Sequence, residues 1–279
     1  MTLTRRETSD RLAANGLAPR RAFGQNFVVD ANTVRRIARL AGVGPGDHVV
    51  EIGAGLGALT RALLETGAHV TAVEIDHGLA AVLADEVVPL GARLVVGDAL
   101  RLDWADVLAG PDRWTLVANL PYNVATPLVA DLLDDVPTIE RMLVMVQKEV
   151  GERMAAAAGT DPYGALSVKI AYWARAEVVG KVPPTVFLPQ PNVDSALVSI
   201  VRRATPAVGP DVPTARLFAL VRAGFGQRRK MLRRSLAGQV DAADFEVAAV
   251  RPDARAEELD VDAWGRLTRA VLAREQAEL

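Results

Sequence analysis

The chain has 279 residues, half of them hydrophobic and 24% charged, with a formal net charge of −2, which allows one large domain or a large and a small one with a sizeable core. It contains no cysteine, which excludes disulfides, thiolate metal sites and a cysteine nucleophile; its three histidines, His48, His69 and His77, fall at no metal-ligand spacing, so no metal is expected. The stretch from Met1 to Thr8 is polar, without the apolar segment of a secretory signal, and no apolar run approaches a membrane span, so a soluble cytoplasmic protein is expected.

In chain order, residues 31–41 read as a helix leading into the first strand, 48–52. Further strands are expected at 69–74, 93–96, 114–118 and 142–146, with helices near 57–66, 77–87 and 125–134 and another starting around 148. Strands alternating with helices imply βαβ units and a parallel sheet. Candidates at about 171–181 and 195–202, separated by a proline-rich loop, would bring the sheet to seven strands and close its edge as an antiparallel pair. Residues 204–213 carry three prolines and read as a linker. Beyond it Leu217, Leu220, Val221 and Gly224, then Met231, Leu232 and Leu236, recur at helical spacing. The expected organisation is α/β over 1–203, a linker over 204–213 and a small all-α domain over 214–279.

The segment Glu51-Ile-Gly53-Ala-Gly55-Leu-Gly57 directly follows the first strand and opens a helix. Glycines there permit tight turns and leave room for a ligand against main-chain amides. A dinucleotide fingerprint would read Gly-x-Gly-x-x-Gly and cradle a pyrophosphate. Here the glycines alternate, and Glu51 would repel phosphate. The pattern favours a ligand with an ammonium or sulfonium group, and S-adenosylmethionine is the ligand inferred. Glu74 closes the second strand, where a carboxylate can accept both ribose hydroxyls. Asp98 closes the third, where it can accept from the adenine amine.

Asn119-Leu-Pro-Tyr122 ends the fourth strand. Alone, the tetrapeptide also fits an ordinary turn. After the ordered set of glycine loop, Glu74 and Asp98, it reads as a holder for a planar amine. The Asn119 side-chain oxygen and the Leu120 carbonyl accept two N–H bonds, Pro121 fixes the corner, and Tyr122 stacks on the attached base. Phe187, in a proline-framed loop, is the candidate for the opposite face of that base, with a core aromatic as its alternative.

Charge is distributed unevenly. From Arg216 to Arg234 there are basic residues and no acidic one, including Arg222, Arg228, Arg229, Lys230, Arg233 and Arg234. Such a stretch suits a polyanion, although a solvated helix face has the same signature. Arg20 and Arg21 are candidates for further contacts near a target strand.

Several segments, taken in order, resemble the bacterial small-subunit ribosomal RNA adenine dimethyltransferases, the KsgA family, over nearly the full length. They are Phe23-Gly-Gln-Asn-Phe-Val28, Val50 to Thr60, Asn119 to Asn123 and Met145 to Glu149, then Tyr163 to Ser167, Phe187 to Ser195 and Phe225 to Arg233. Phe23 and Val28 stand where that family usually has leucine, and Ala54 where proline is common; all three keep apolar character. The resemblance implies a Rossmann-like class I methyltransferase fold. It implies dimethylation of two adjacent adenosines at N6 near the 3′ end of 16S rRNA, within a 30S precursor, by a monomer. It also implies that Asn26 and Val28 line the methyl-donor pocket with Gly53, Gly55, Glu74, Asp98 and Asn119, and that Gln25 orders this lid, a capping role being the alternative. The competing expectations are a 23S rRNA adenine methyltransferase of the macrolide-resistance type and an assembly factor that acts mainly by binding. A DNA adenine methyltransferase and an NAD-dependent dehydrogenase fit the motifs less well.

Overall fold

The computed structural model describes residues 3–20 and 23–278. The chain packs as two compact units. One is built from residues up to Gly151 together with Glu177–Arg202, the other from Glu152–Ala176 together with Arg203 onward.

The first unit begins with α1 (Arg5–Ala14), where Thr4 and Glu7 cap each other reciprocally. After β1 (Phe27–Val28) comes α2 (Ala31–Ala41), which turns Val34, Ile37, Ala38 and Ala41 inward at helical spacing and stops at Gly42 in the left-handed region. Then follow β2 (His48–Ile52), α3 (Ala58–Leu64), β3 (His69–Glu74), α4 (His77–Val87), β4 (Arg93–Val96), α5 (Trp104–Val107), β5 (Trp114–Asn119), α6 (Ala125–Asp135), β6 (Ile139–Gln147) and α7 (Lys148–Met154). After α8 (Ala165–Trp173) the chain supplies β7 (Ala174–Val182), β8 (Phe187–Leu188) and β9 (Ser195–Arg202).

The seven-stranded sheet runs β4-β3-β2-β5-β6-β9-β7, with β1 and β8 forming a separate antiparallel pair. Strands β2 to β6 are mutually parallel, and β9 lies antiparallel to β6. The middle of the central strand β5 is apolar because helices cover both faces: Leu116, Val117 and Ala118 are all buried. Expected elements match in kind. The edge differs in detail, since β9 inserts between β6 and β7, and α8 runs to Trp173 so that β7 starts later than expected. Strand β2 has β3 on one side and β5 on the other, so the chain order reverses there. A crevice for ligands opens outside the carboxyl ends at such a point.

The second unit is helical: α8, α9 (Thr214–Gly226), α10 (Leu232–Ser235), α11 (Ala242–Val247) and α12 (Val261–Ala277). Trp264, Leu217, Leu220, Val221 and Leu232 are fully buried at its centre. Gly224 lets α9 approach α12 closely, since a Cβ there would lie 2.6 Å from the Trp264 ring. Two expected boundaries need correction. Residues 152–176 belong with this unit, because Tyr163, Val168 and Tyr172 lie in its core and the Tyr163 hydroxyl donates to the Leu259 carbonyl at 2.9 Å. Residues 204–213 do not behave as a free linker, because Val208 and Val212 are buried in the same core. Among the described residues no helix is long and apolar enough to cross a membrane.

Candidate active site

The loop after β2 is shaped by three alternating glycines, Gly53, Gly55 and Gly57, all at positive φ. At Gly55 (φ +59°) a Cβ would press on the Phe27 ring at 3.1 Å, so only glycine brings the main chain this close to the segment above it. The Gly55 N–H donates to Glu74 Oε2 at 2.8 Å, and the Asp76 N–H donates to Glu74 Oε1 at 2.9 Å. Glu74, expected as a ribose acceptor only, therefore also ties the glycine loop to the end of β3. Each carboxylate oxygen keeps a further lone pair for a ligand, and Glu74 lines the cleft.

Glu51 lies on the same wall, buried at 2% exposure, and its Oε2 has no hydrogen-bond partner. Burial, with the nearby Glu74 charge adding in the same direction, pushes its carboxyl up to about 8. Burial also raises Glu74, against the lowering effect of the two backbone amides. A buried carboxyl with an orphaned oxygen is costly in isolation and is satisfied by a cationic ligand.

The cleft formed by these residues shares Phe23, Gly53, Ile75 and Pro121 with an adjoining hollow lined by Gly97, Asp98, Leu100 and Asn123. One elongated molecule can lie across both. Asp98 turns the chain after β4, with its carboxylate accepting from the Leu100 N–H at 3.0 Å.

At the end of β5 the Asn119 amide donates to the Asn26 carbonyl at 2.8 Å. That leaves the Asn119 side-chain oxygen as an acceptor beside the Leu120 carbonyl. Leu120 itself is buried, and its N–H donates to Met145 O at 3.1 Å, which fixes the corner to β6. The Pro121 carbonyl accepts from the Val124 and Ala125 amides, starting α6. The Tyr122 hydroxyl is hydrogen-bonded to Ser195 Oγ at 2.8 Å, and burial pushes the phenol pKa up.

Residues 23–28 lie over this corner. Gly24 (φ +61°) passes so close to Pro121 and Asn123 that a Cβ would meet Asn123 Oδ1 at 2.9 Å. The Asn26 side chain donates to the Gly24 carbonyl at 3.1 Å. Gln25 accepts from the Arg20 N–H at 2.8 Å and donates to Asp76 Oδ2 at 3.2 Å, while the Arg20 guanidinium reaches the same carboxylate at 3.4 Å. The amide of Gln25 thus bridges the segment to the N-cap of α4. Arg21 lies outside the described residues.

Phe187 needs correction. Its ring is fully buried among Val28, Val182 and Leu197, and its backbone pairs with Val28, so it presents no face to a base. The β1–β8 pairing that turns it inward joins segments far apart in sequence. Two other residues escaped the sequence reading. Asp76, the N-cap of α4, carries no local sign that it anchors Gln25 and Arg20. Ser195 showed only as the end of a motif, and nothing local marks its partner.

In the second unit Arg222, Arg228, Arg229, Lys230, Arg233 and Arg234 are all exposed. Residues 227–230 form a turn between α9 and α10 rather than a helix face. The local lack of acids does not leave every cation unpaired: Arg228 donates to Glu257 and to the Asp161 carbonyl, both at 2.6 Å, and Arg216 pairs with Glu275.

The chain is similar to known proteins over most of its length. The family described as "Ribosomal RNA adenine dimethylase" matches residues 16–273. "Ribosomal RNA small subunit methyltransferase A" of Streptomyces coelicolor is 49% identical over 266 residues, 91% of this chain and 92% of its own. The protein of the same name from Bifidobacterium adolescentis is 46% identical over 277 residues, covering 94% and 91%. Among solved structures, the 23S rRNA methyltransferase ErmE superposes with a TM-score of 0.70 at 28% identity, over 88% of this chain and 99% of its own. A dimethyladenosine transferase from Plasmodium falciparum reaches 0.73 at 22% identity over 90% and 98%, a likeness of fold.

Proposed function

The chain belongs to the ribosomal RNA adenine dimethylase family, and we propose that it methylates N6 of two adjacent adenosines near the 3′ end of 16S rRNA, dimethylating each, with S-adenosylmethionine as donor. The particle acted on is a precursor of the 30S subunit, met in the cytoplasm by a monomer of this protein. The observation that carries this reading is the corner at Asn119 to Tyr122. It sets an amide oxygen, a main-chain carbonyl and an aromatic ring beside a glycine-lined cleft that holds a buried carboxyl with an unpartnered oxygen.

The cleft suits the donor. The positive-φ glycines leave a main-chain wall without side chains, and the orphaned Oε2 of Glu51 matches an ammonium or sulfonium group. Glu74 and Asp98 are the acceptors for ribose and adenine, with Asn26, Val28, Gly53, Gly55 and Asn119 completing the lining. When bound, S-adenosylmethionine supplies an electrophilic methyl group on sulfur.

The chain's own residues do the rest by placement. An exocyclic amine is a poor nucleophile because its lone pair is delocalised into the ring. Asn119 Oδ1 and the Leu120 carbonyl, holding one N–H each, favour a pyramidal nitrogen and aim its lone pair into the cleft. Tyr122 supports the flipped base by stacking. No side chain is needed as a strong base, because the nitrogen becomes acidic only once alkylated and then loses its proton to solvent. In the helical unit the exposed arginines and Lys230 meet RNA phosphates and read shape rather than base edges.

ErmE shares the fold but is the more distant relative, and the higher identity to small-subunit enzymes favours 16S rRNA. The test is transfer of tritiated methyl groups by the purified protein, offered undermethylated small-subunit particles and 23S rRNA in parallel, with mass spectrometry of the product. Dimethyladenosine near the 3′ end of 16S rRNA is the expected outcome. Label entering only 23S rRNA would overturn the assignment.

A further inference from the structure

Tyr122 is the only aromatic ring among the corner residues, and Phe187, the other candidate platform, is buried in the core. The orientation of the Tyr122 ring therefore governs how a base is held against this corner. Its hydroxyl meets Ser195 Oγ at 2.8 Å. Ser195 is fully buried and is the first residue of β9, paired in register with Gln147 of β6, and the neighbouring Asp194 carbonyl accepts from the Lys148 N–H at 2.9 Å. A ring on a loop is thus pinned by a hydroxyl on the rigid framework of the sheet. Leaving that buried hydroxyl without its partner would be unfavourable, so the bond persists.

We propose that Ser195 is a positioning residue for the transfer reaction, fixing the plane of Tyr122 against the target base; this rests on the function proposed above. The consequence is greatest at the second transfer. Once the amine carries one methyl group, only one N–H remains for the two acceptors at Asn119 and Leu120, so the orientation of the base depends more heavily on the ring. Loss of the Ser195 hydroxyl should therefore stall the reaction at the monomethyl stage.

The test measures both products on undermethylated small-subunit particles with the full chain carrying Ser195→Ala, Ser195→Thr, Tyr122→Phe and the double change Ser195→Ala with Tyr122→Phe. Ser195→Ala should raise the ratio of monomethyl- to dimethyladenosine roughly three- to tenfold, the range of one hydrogen bond, while donor affinity stays as in the wild type. Tyr122→Phe should do the same, the double change should be no worse than either, and Ser195→Thr should restore the wild-type ratio. An unchanged product ratio in Ser195→Ala, or additive effects in the double change, would overturn the inference. Tyr122→Phe keeps the ring and the buried serine, so it reports even if Ser195→Thr packs badly. A wild-type protein that transfers nothing to these particles would instead sink the functional reading itself.

Discussion

Replacing Glu51 with Gln should flatten the dependence of stability on pH through the neutral range. Glu51 is buried beside Glu74 with one oxygen unpartnered, and burial pushes its carboxyl from the ordinary 4.5 up to about 8. The folded value lies above the unfolded one, so between the two the native state holds a proton that the unfolded chain has released. Stability then falls as pH rises from about 4.5 to about 8, and levels off beyond. Each pH unit in that window is worth at most about 1.4 kcal/mol, and coupling to Glu74 spreads the titration. From about pH 5 to about pH 7 the wild type should lose about 1–3 kcal/mol relative to the Gln variant. At roughly 2–4 °C per kcal/mol for a chain of this size, the gap in Tm should shift by roughly 2–12 °C in favour of the variant. Calorimetry or dye-monitored melting at stepped pH, without donor, reads this directly. A Tm gap constant over that interval would show that Glu51 is ionised in the fold and would refute the reasoning. A cationic donor should favour the ionised carboxylate, so titration calorimetry in buffers of different ionisation enthalpy should show proton release that the Gln variant lacks.

Other consequences are open to measurement. Asn119→Ala removes an acceptor for the amine and the bond to Asn26; turnover should fall by about 100-fold or more while donor affinity weakens only modestly, and undiminished label transfer would exclude the role. Gly55→Ala forces a side chain into the left-handed region and against Phe27; a stability loss of about 1–2 kcal/mol with weaker donor binding is expected, and a variant that melts and binds as the wild type would contradict the tight fit. Arg229→Ala and Lys230→Ala should each lower the slope of log affinity against log salt for small-subunit particles by about 1. Arg228→Ala should also loosen the turn it holds to Glu257 and Asp161; an unchanged slope in all three would remove this surface from the interface.

What the sequence made legible was what local pattern determines. The run Val49 to Gly57 announces a buried strand, a glycine turn and a helix within a few residues, because two-face burial and positive φ leave compositional traces. The same holds for α2, whose cap, apolar stripe and Gly42 stop lie together. What stayed hidden depended on pairings between distant segments. Phe187 is a loop aromatic in sequence and a core residue in space because Val28 pairs with it. Gln25 finds Asp76, and Tyr122 finds Ser195, across separations that no spacing rule spans. The helix over 165–173 is not legible in the sequence, which suggests a strand from about 171, and nothing local says which core it faces.

The discontinuity of the second unit bears on how the protein is made. Residues 152–176 are synthesised before the strand pair that returns the chain to the sheet, while most of the helical core they need lies in 203–278. During translation the apolar faces of Tyr163, Val168 and Tyr172 must therefore wait, uncovered, until Leu217, Leu232 and Trp264 have emerged. For the same reason an excised fragment ending at residue 203 would carry that unsatisfied helix with it and should aggregate. A chain cut down to 152–176 joined directly to 203–278 would let the helical unit fold without waiting.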